Sequence, residues 1–439
     1  MNRDRWIGAA LGAALVLILI IVGQVACSSR EGATPTPADP GGYPAGYPYP
    51  QATPPPPGTG YPLPGSPVPY PGPTTARPTA TGTGPHAAPW YLPLITHHYA
   101  MVTPTPTVQP TATATPTVTP VPTRPWPPAL SAPGPSKLGL HVQWNSSPDI
   151  LEFVRRYRPA VVKGVNDLNY LAEVKALSPS TVTIGRIEDG SPSRDGDPAQ
   201  TAREYVNRYL GIYLSHPWID YWEGINEPDV GGDMAWYAAF EAERARAMAE
   251  HGLRVAIGSF STGVPEWEDF GAFLPAVRAA KAHGGVLSLH EYDAPTMTRS
   301  VGAALPGRQA VADRGALTLR YRWWYEDYLR PRGLVLPLVI TEAGVDGGVT
   351  NRPGPEGGGW QDFTTYWAEQ EGLGHDGTAT YLQQLAWYDS ELRKDDYVIG
   401  CAIFTAGPMD DKWRSFDVTG ILREIGQYLV DEAAKAGVH

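Results

Sequence analysis

Cysteine is nearly absent. The 439 residues hold two, Cys27 and Cys401, too few and too far apart for a disulfide framework or a metal-ligand cluster. Lysine is missing altogether from residues 1–136, where five Arg and three acids leave a charge of +2. The whole chain carries −11, so residues 137–439 carry about −13. No basic stripe relieves that acidity, which argues against a nucleic-acid partner and suits a neutral ligand such as a polysaccharide. Long apolar runs are also lacking, with one exception at the N-terminus, and no internal repeat is visible.

Proline and glycine are abundant instead, 47 and 48 residues, and the excess lies mostly before residue 137. Met1–Arg5 is net positive and 7–26 is almost wholly apolar, the pattern of a secretion signal or a signal anchor. Val25-Ala26-Cys27-Ser28-Ser29 resembles the lipobox of bacterial lipoproteins, which would make Cys27 a lipidated N-terminus, although Gln24 stands where that motif prefers Leu. A lipidated Cys27 or an uncleaved anchor puts the rest of the chain on the extracellular face of a membrane, and ordinary cleavage leaves it secreted. Residues 28–136 follow, with Gly/Tyr/Pro units giving way to Thr/Pro alternation. Such a stretch has little to bury and cannot repay its ordering entropy, so a disordered linker of polyproline-II character is expected. One apolar island, 88–99, interrupts it.

From Lys137 onward, apolar runs of about six residues alternate with longer amphipathic stretches, the signature of repeated βα units. Strands are expected at 138–144, 160–166, 181–188, 219–226, 254–260, 286–292, 336–342 and 398–404. Helices are expected at about 148–157, 168–176, 198–214, 234–251, 269–283, 315–330, 378–394 and 419–435. Eight of each is the count of a closed (β/α)8 TIM barrel, and roughly 300 residues is a normal size for one. The expected organisation is therefore a signal or anchor over 1–27, a linker over 28–136 and one α/β catalytic barrel over 137–439.

Two glutamates end buried-type strands. Glu227 closes Tyr221-Trp222-Glu223-Gly224-Ile225-Asn226-Glu227-Pro228, and Glu342 closes Leu338-Val339-Ile340-Thr341-Glu342. Barrel chemistry gathers at the C-terminal ends of the strands. Two carboxyls there suit glycoside hydrolysis, in which one is held protonated to donate to the leaving oxygen and the other ionised. Glu223, four before Glu227, faces the same way but deeper. A charge there needs a partner, and Arg186 on the neighbouring strand is the candidate. Cys401, inside a strand, reads as a buried free thiol.

On these motifs the domain resembles the clan A retaining glycoside hydrolases, near the cellulase-like families 5 and 39. The resemblance implies that Glu227 is the acid/base, Glu342 the nucleophile, and Asn226 a ligand of the sugar 2-hydroxyl. His290 and Tyr292, in Leu289-His290-Glu291-Tyr292, resemble the family 5 His-x-Tyr. That motif would set the phenol on the nucleophile and the imidazole along the sugar site. His141 and Trp144 are expected beside the −1 sugar or packed in the wall. Trp360 and Trp367, in the glycine-rich loop from Gly344 to Gly377, and Trp413, after strand eight, are expected to stack on sugar rings. The pattern departs from family 5 at strand two, which offers Lys163 for the usual Arg, and at the end of strand eight, which reads Phe404-Thr405 for the usual Trp. The implied enzyme is a surface-tethered retaining glycosidase of a polysaccharide or glycan, working as a monomeric domain without metal or cofactor. The alternative is a glycan-binding surface protein that keeps the barrel and does no chemistry.

Overall fold

A computed structural model describes residues 125–438 apart from Asp189, Gly231 and Thr350. The expected signal segment, Cys27, most of the linker and the 88–99 island lie outside the described residues. Among the described residues no helix is long and apolar enough to cross a membrane.

Eight parallel strands form one sheet: β1 (Leu138–Val142), β2 (Val161–Val165), β3 (Val182–Arg186), β4 (Tyr221–Trp222), β5 (Ala256–Phe260), β6 (Val286–Asp293), β7 (Leu338–Val345) and β8 (Val398–Ala406). Their spatial order, β4-β3-β2-β1-β8-β7-β6-β5, is that of a ring opened between β4 and β5. One parallel bridge, Trp222 to Val255, closes it.

The helices between the strands are α1 (Pro148–Tyr157), α2 (Tyr170–Leu177), α3 (Pro198–Ser215), α4 (Met234–Ala249), α5 (Leu274–Ala282), α6 (Tyr321–Trp324), α7 (Phe363–Glu369), α8 (Gly377–Leu392) and α9 (Leu422–Lys435). Their starts are written in the sequence. Ser147 and Asp197 each accept a backbone N–H from the first turn and are followed by proline at N1, and Asp376 caps α8 in the same way. α6 is shorter than the 315–330 expected, because the chain passes into a π turn over Tyr325–Leu329 and a 3-10 turn over Arg330–Arg332. α7 is a helix that the glycine-rich composition of its loop concealed.

β4 is the largest departure. Residues 219–226 were expected as a strand, yet only Tyr221–Trp222 pairs as one. Beyond it the backbone is tied point by point: Glu223 N donates to Gly185 O and Glu227 N to Ser259 O, both at 2.9 Å. The seam is sewn by a side chain. Arg244, fully buried on α4, donates to Trp222 O at 3.1 Å and to Ala256 O at 2.8 Å, and pairs with Glu241 at 2.8 Å. Gly224 leaves room for this pair, since a Cβ would stand 2.9 Å from both the Arg244 guanidinium and the Glu241 carboxyl and would make them shift.

The core has two layers. Inside the barrel, Val161, Ile184, Ala256, Val286, Val339 and Ala402 fill one small cluster. Larger residues pack between the sheet and the helices, among them Phe153, Trp324, Trp367 and Tyr388. The boundary with the linker also moves. Leu130 is buried, its N–H donates to Arg156 O at 2.8 Å, and Trp126 lies under the Arg423 guanidinium at 4.3 Å. Residues 125–136, assigned to the linker for their prolines, are therefore packed on α1 and α9 as part of the domain.

Candidate active site

A bulge in β7 aims the key carboxylate. β6 and β7 pair Leu289 with Ile340 and then His290 with Glu342, so Thr341 is the extra residue. Strict alternation would turn Glu342 outward with Ile340, which lies in the outer core. The bulge lets both Thr341 and Glu342 face the barrel axis. Thr341 Oγ1 meets Ser288 Oγ at 2.7 Å, and Ser288 in turn donates to Glu223.

Glu342 is then enclosed. Its Oε1 accepts from Lys163 Nζ at 2.8 Å and from Arg186 at 3.1 Å, and its Oε2 accepts from the Tyr292 hydroxyl at 2.9 Å. The ring nitrogens Nε2 of His141 and His290 stand 3.6 Å from Oε1. Burial works against its charge. The groups around it, the His290 ring first, then Lys163, the His141 ring and Arg186, outweigh burial and hold the carboxyl well below the usual range. Burial also drives the His141 imidazole well below its ordinary value, so that ring is neutral, with Nδ1 on Thr405 Oγ1 at 2.9 Å. The Tyr292 phenol is pushed well above its ordinary value by burial and then by Glu342 and Glu227, which keeps it a donor.

Glu227 sits differently. Its backbone is left-handed, φ 40, and its side chain is 38% exposed against 8% for Glu342. His290 Nδ1 contacts its Oε1 at 2.8 Å, so one proton lies on that contact. An oxygen of Glu227, a nitrogen of His290 and an oxygen of Glu342 lie within 4.8 Å of one another. The two permanent cations already on Glu342 disfavour a metal ion among these three.

These groups open into a cleft of about 450 Å³. Of the residues singled out from sequence, His141, Asn226, Glu227, Tyr292, Glu342 and Trp413 line it. Asn226 Oδ1 accepts from Arg186, which leaves its amide N–H groups for a ligand. His290 is buried and bridges the carboxyls rather than lining the space between them. Trp413 is held edge-on by Phe404 and Phe416, with ring centroids 5.2 and 5.5 Å away, and the Lys412 ammonium lies 4.8 Å over its ring.

Three expectations are corrected. Trp367 is fully buried and its Nε1 donates to Pro295 O at 2.6 Å. Trp360 is buried too, stacked on Tyr381 at 5.0 Å. Both belong to the packing between α7 and α8, so neither face is open to a ligand. Trp144 does not line the cleft; it is 55% exposed where its backbone meets Gly407.

Sequence reasoning noted Lys163 on strand two but did not pair it with Glu223, to which it stands closer (2.8 Å) than the expected Arg186 does (3.6 Å). The signal was a lysine inside an otherwise apolar strand, Val161-Val162-Lys163-Gly164-Val165, which implies a buried counter-charge. It also passed over Asp346, a further carboxyl on the cleft. Burial raises its pKa above the ordinary range, with the charges of Glu227 and Glu342 adding to this and the Gly348 N–H opposing it.

No protein-family model matches the chain, and no curated protein matches it. Among solved structures it is similar to a family 39 glycoside hydrolase from Bacteroides cellulosilyticus WH2, at 13% identity and a TM-score of 0.43, over 67% of this chain and 63% of that one. A glucosidase from Croceicoccus marinus aligns at 14% identity, with a TM-score of 0.42, over 68% of each chain. An endo-1,4-beta-D-mannanase from Thermotoga petrophila RKU-1 aligns at 12% identity, with a TM-score of 0.38, over 67% of this chain and 99% of that one. At such identities the likenesses assign no activity to this chain.

Proposed function

We propose that the protein is a retaining glycoside hydrolase that cleaves β-linked sugars of a polysaccharide or glycan by double displacement. The observation that carries this is the pair of carboxyls on β7 and on the segment after β4, with one oxygen of each within 4.8 Å of the other, in environments of opposite kind. One oxygen pair this close fits the carboxyl separation of about 5–5.5 Å in retaining enzymes better than the about 6.5–9.5 Å by which inverting enzymes leave room for a water.

The environments divide the labour. Glu342, ionised and bound by Tyr292, Lys163 and Arg186, attacks the anomeric carbon. Glu227, at the open side of the cleft, protonates the departing oxygen. It then takes a proton from the water that hydrolyses the glycosyl ester on Glu342. The free amide of Asn226 meets the sugar 2-hydroxyl, and Trp413 offers a wall on which a ring stacks. The same proposal puts the domain at the cell surface, tethered by a lipid on an N-terminal Cys27 or by the uncleaved apolar segment 7–26, and takes a carbohydrate as its partner.

Hydrolysis of a panel of plant, fungal and bacterial glycans by residues 125–439, with the first-formed product followed by proton NMR, tests this. Retention of anomeric configuration is expected. An inverted product overturns the role of Glu342, and glycan binding without turnover would make the protein a receptor.

A further inference from the structure

Four charges are buried together beneath the cleft. Lys163 Nζ stands 2.8 Å from Glu342 Oε1 and 2.8 Å from Glu223 Oε2. Arg186 NH1 stands 3.1 Å from Glu342 and 3.6 Å from Glu223. Each cation is thus shared by the same two anions, and the set is neutral. Arg186 Nε also meets Glu188 at 3.2 Å, but that carboxyl is largely open to water and screened. Glu223 itself never meets the cleft. It is 1% exposed, and its Oε1 is fixed by Ser288 at 2.6 Å and Ser259 at 3.1 Å.

Glycosylation removes one of these four charges. When a Glu342 oxygen bonds to the anomeric carbon, the bond from that carbon to the leaving oxygen breaks. Its electron pair departs with the oxygen, which takes the proton of Glu227. Glu342 becomes a neutral ester. The buried set then stands at +1, where without Glu223 it would stand at +2; the Glu227 carboxylate formed in the same step lies on the exposed side of the cleft.

We propose that Glu223 is a positioning carboxylate that holds Lys163 and Arg186 while Glu342 is esterified, so that the covalent intermediate does not leave two buried cations unpartnered. This rests on the double displacement proposed above. A like-charge pair in a low-dielectric interior is costly. Loss of Glu223 therefore opposes forming the ester and favours its hydrolysis, which restores the Glu342 carboxylate. The two half-reactions move in opposite directions, whereas a merely structural defect slows both. Glu223→Gln keeps the side-chain shape and the acceptor for the two serines. Lys163→Met/Glu223→Gln removes one cation along with the anion and rebalances the set.

The first measurement uses 2,4-dinitrophenyl 2-deoxy-2-fluoro-β-glycosides of glucose, galactose, mannose and xylose, following labelled protein by mass and its reactivation with time. Glu223→Gln is expected to label at least about tenfold more slowly and to reactivate faster, with the double variant returning both rates toward wild type. Two rates that fall together, or a double variant no better than the single, overturn the proposal. The second needs no substrate, because Glu342→Gln imitates the charge of the ester. Glu223→Gln/Glu342→Gln is expected to lose at least about 3 °C more in Tm than the two single changes together, and added Lys163→Met to recover it. Additive losses overturn the charge-sharing argument by themselves. Failure of every fluoroglycoside to label the wild type overturns the glycosidase reading and this proposal with it, whatever the stability cycle gives.

Discussion

The two segments of the barrel wall that carry the carboxyls are built in opposite ways. β7 runs eight residues, all buried, with ladder partners on both sides, and Glu342 emerges from it into a frame of fixed donors. β4 pairs for two residues, and the chain from Glu223 to Glu227 is held by single backbone bonds and by the buried Arg244. A carboxylate that must stay ionised and aimed gains from a strand that cannot move. A carboxyl that must trade protons with solvent and a leaving group gains from an exposed position on a less constrained segment. The contrast teaches that the site is rigid on the side of attack and open on the side of proton transfer.

Removing the carboxyls one at a time strains this contrast hardest. Glu342→Ala is expected to lower turnover on the order of 10⁴-fold or more on every substrate, since nothing else attacks the anomeric carbon. Glu227→Ala should be far milder on substrates with good leaving groups. Azide should partly restore both, giving the β-azide from Glu227→Ala and the α-azide from Glu342→Ala, as read by NMR of the product. Equal losses in both variants on a dinitrophenyl glycoside would erase the distinction.

The seam at β4 is breakable without touching the cleft. Arg244→Met leaves Glu241 buried without its partner and two carbonyls without their donor, and is expected to cost about 3–5 kcal/mol in denaturant unfolding. A loss under about 1 kcal/mol would mean that backbone bonds alone close the barrel.

Glu291, between His290 and Tyr292, probes the rigid side. Burial raises its pKa to about 7 against Tyr388 and the backbone N–H groups of Leu319 and Tyr321, which favour the charge. The folded protein therefore binds more protons at this site than the unfolded chain does between about pH 4.5 and 7. Its contribution to stability falls as pH rises through that window. The stability of wild type relative to Glu291→Gln should drop by about 3 kcal/mol from pH 4.5 to pH 8. A difference that is flat with pH would place the Glu291 pKa at its ordinary value.

The smallest effect concerns the tryptophans. Trp413→Ala should weaken glycan binding by about 1–3 kcal/mol and leave the melting temperature nearly unchanged, while Trp367→Ala should do the reverse. Binding loss in Trp367→Ala at full stability would return that ring to the cleft.

The βα alternation and the eight strands were legible in the sequence, because apolar periodicity is a local property that survives without neighbours, whereas the strand ends expected at Glu227 and Glu342 were not found there: Glu342 lies inside β7 and Glu227 beyond β4. Helix starts were legible for the same reason: Ser147-Pro148 and Asp197-Pro198 carry their own caps. The linker's proline content misplaced its end, since only contact with α1 and α9 shows that Trp126 and Leu130 are packed. Trp360, Trp367 and Trp413 look alike in sequence, and only the fold puts two under α7 and α8 and one on the cleft. Tertiary structure also decided that a bulge at Thr341 turns Glu342 inward, and that Lys163, sixty positions before Glu223 and far from Glu342 in the chain, stands 2.8 Å from both. A strand's pattern tells which residues it buries. Which buried charges share a partner depends on how strands distant in sequence register against one another, and closing the barrel settles that.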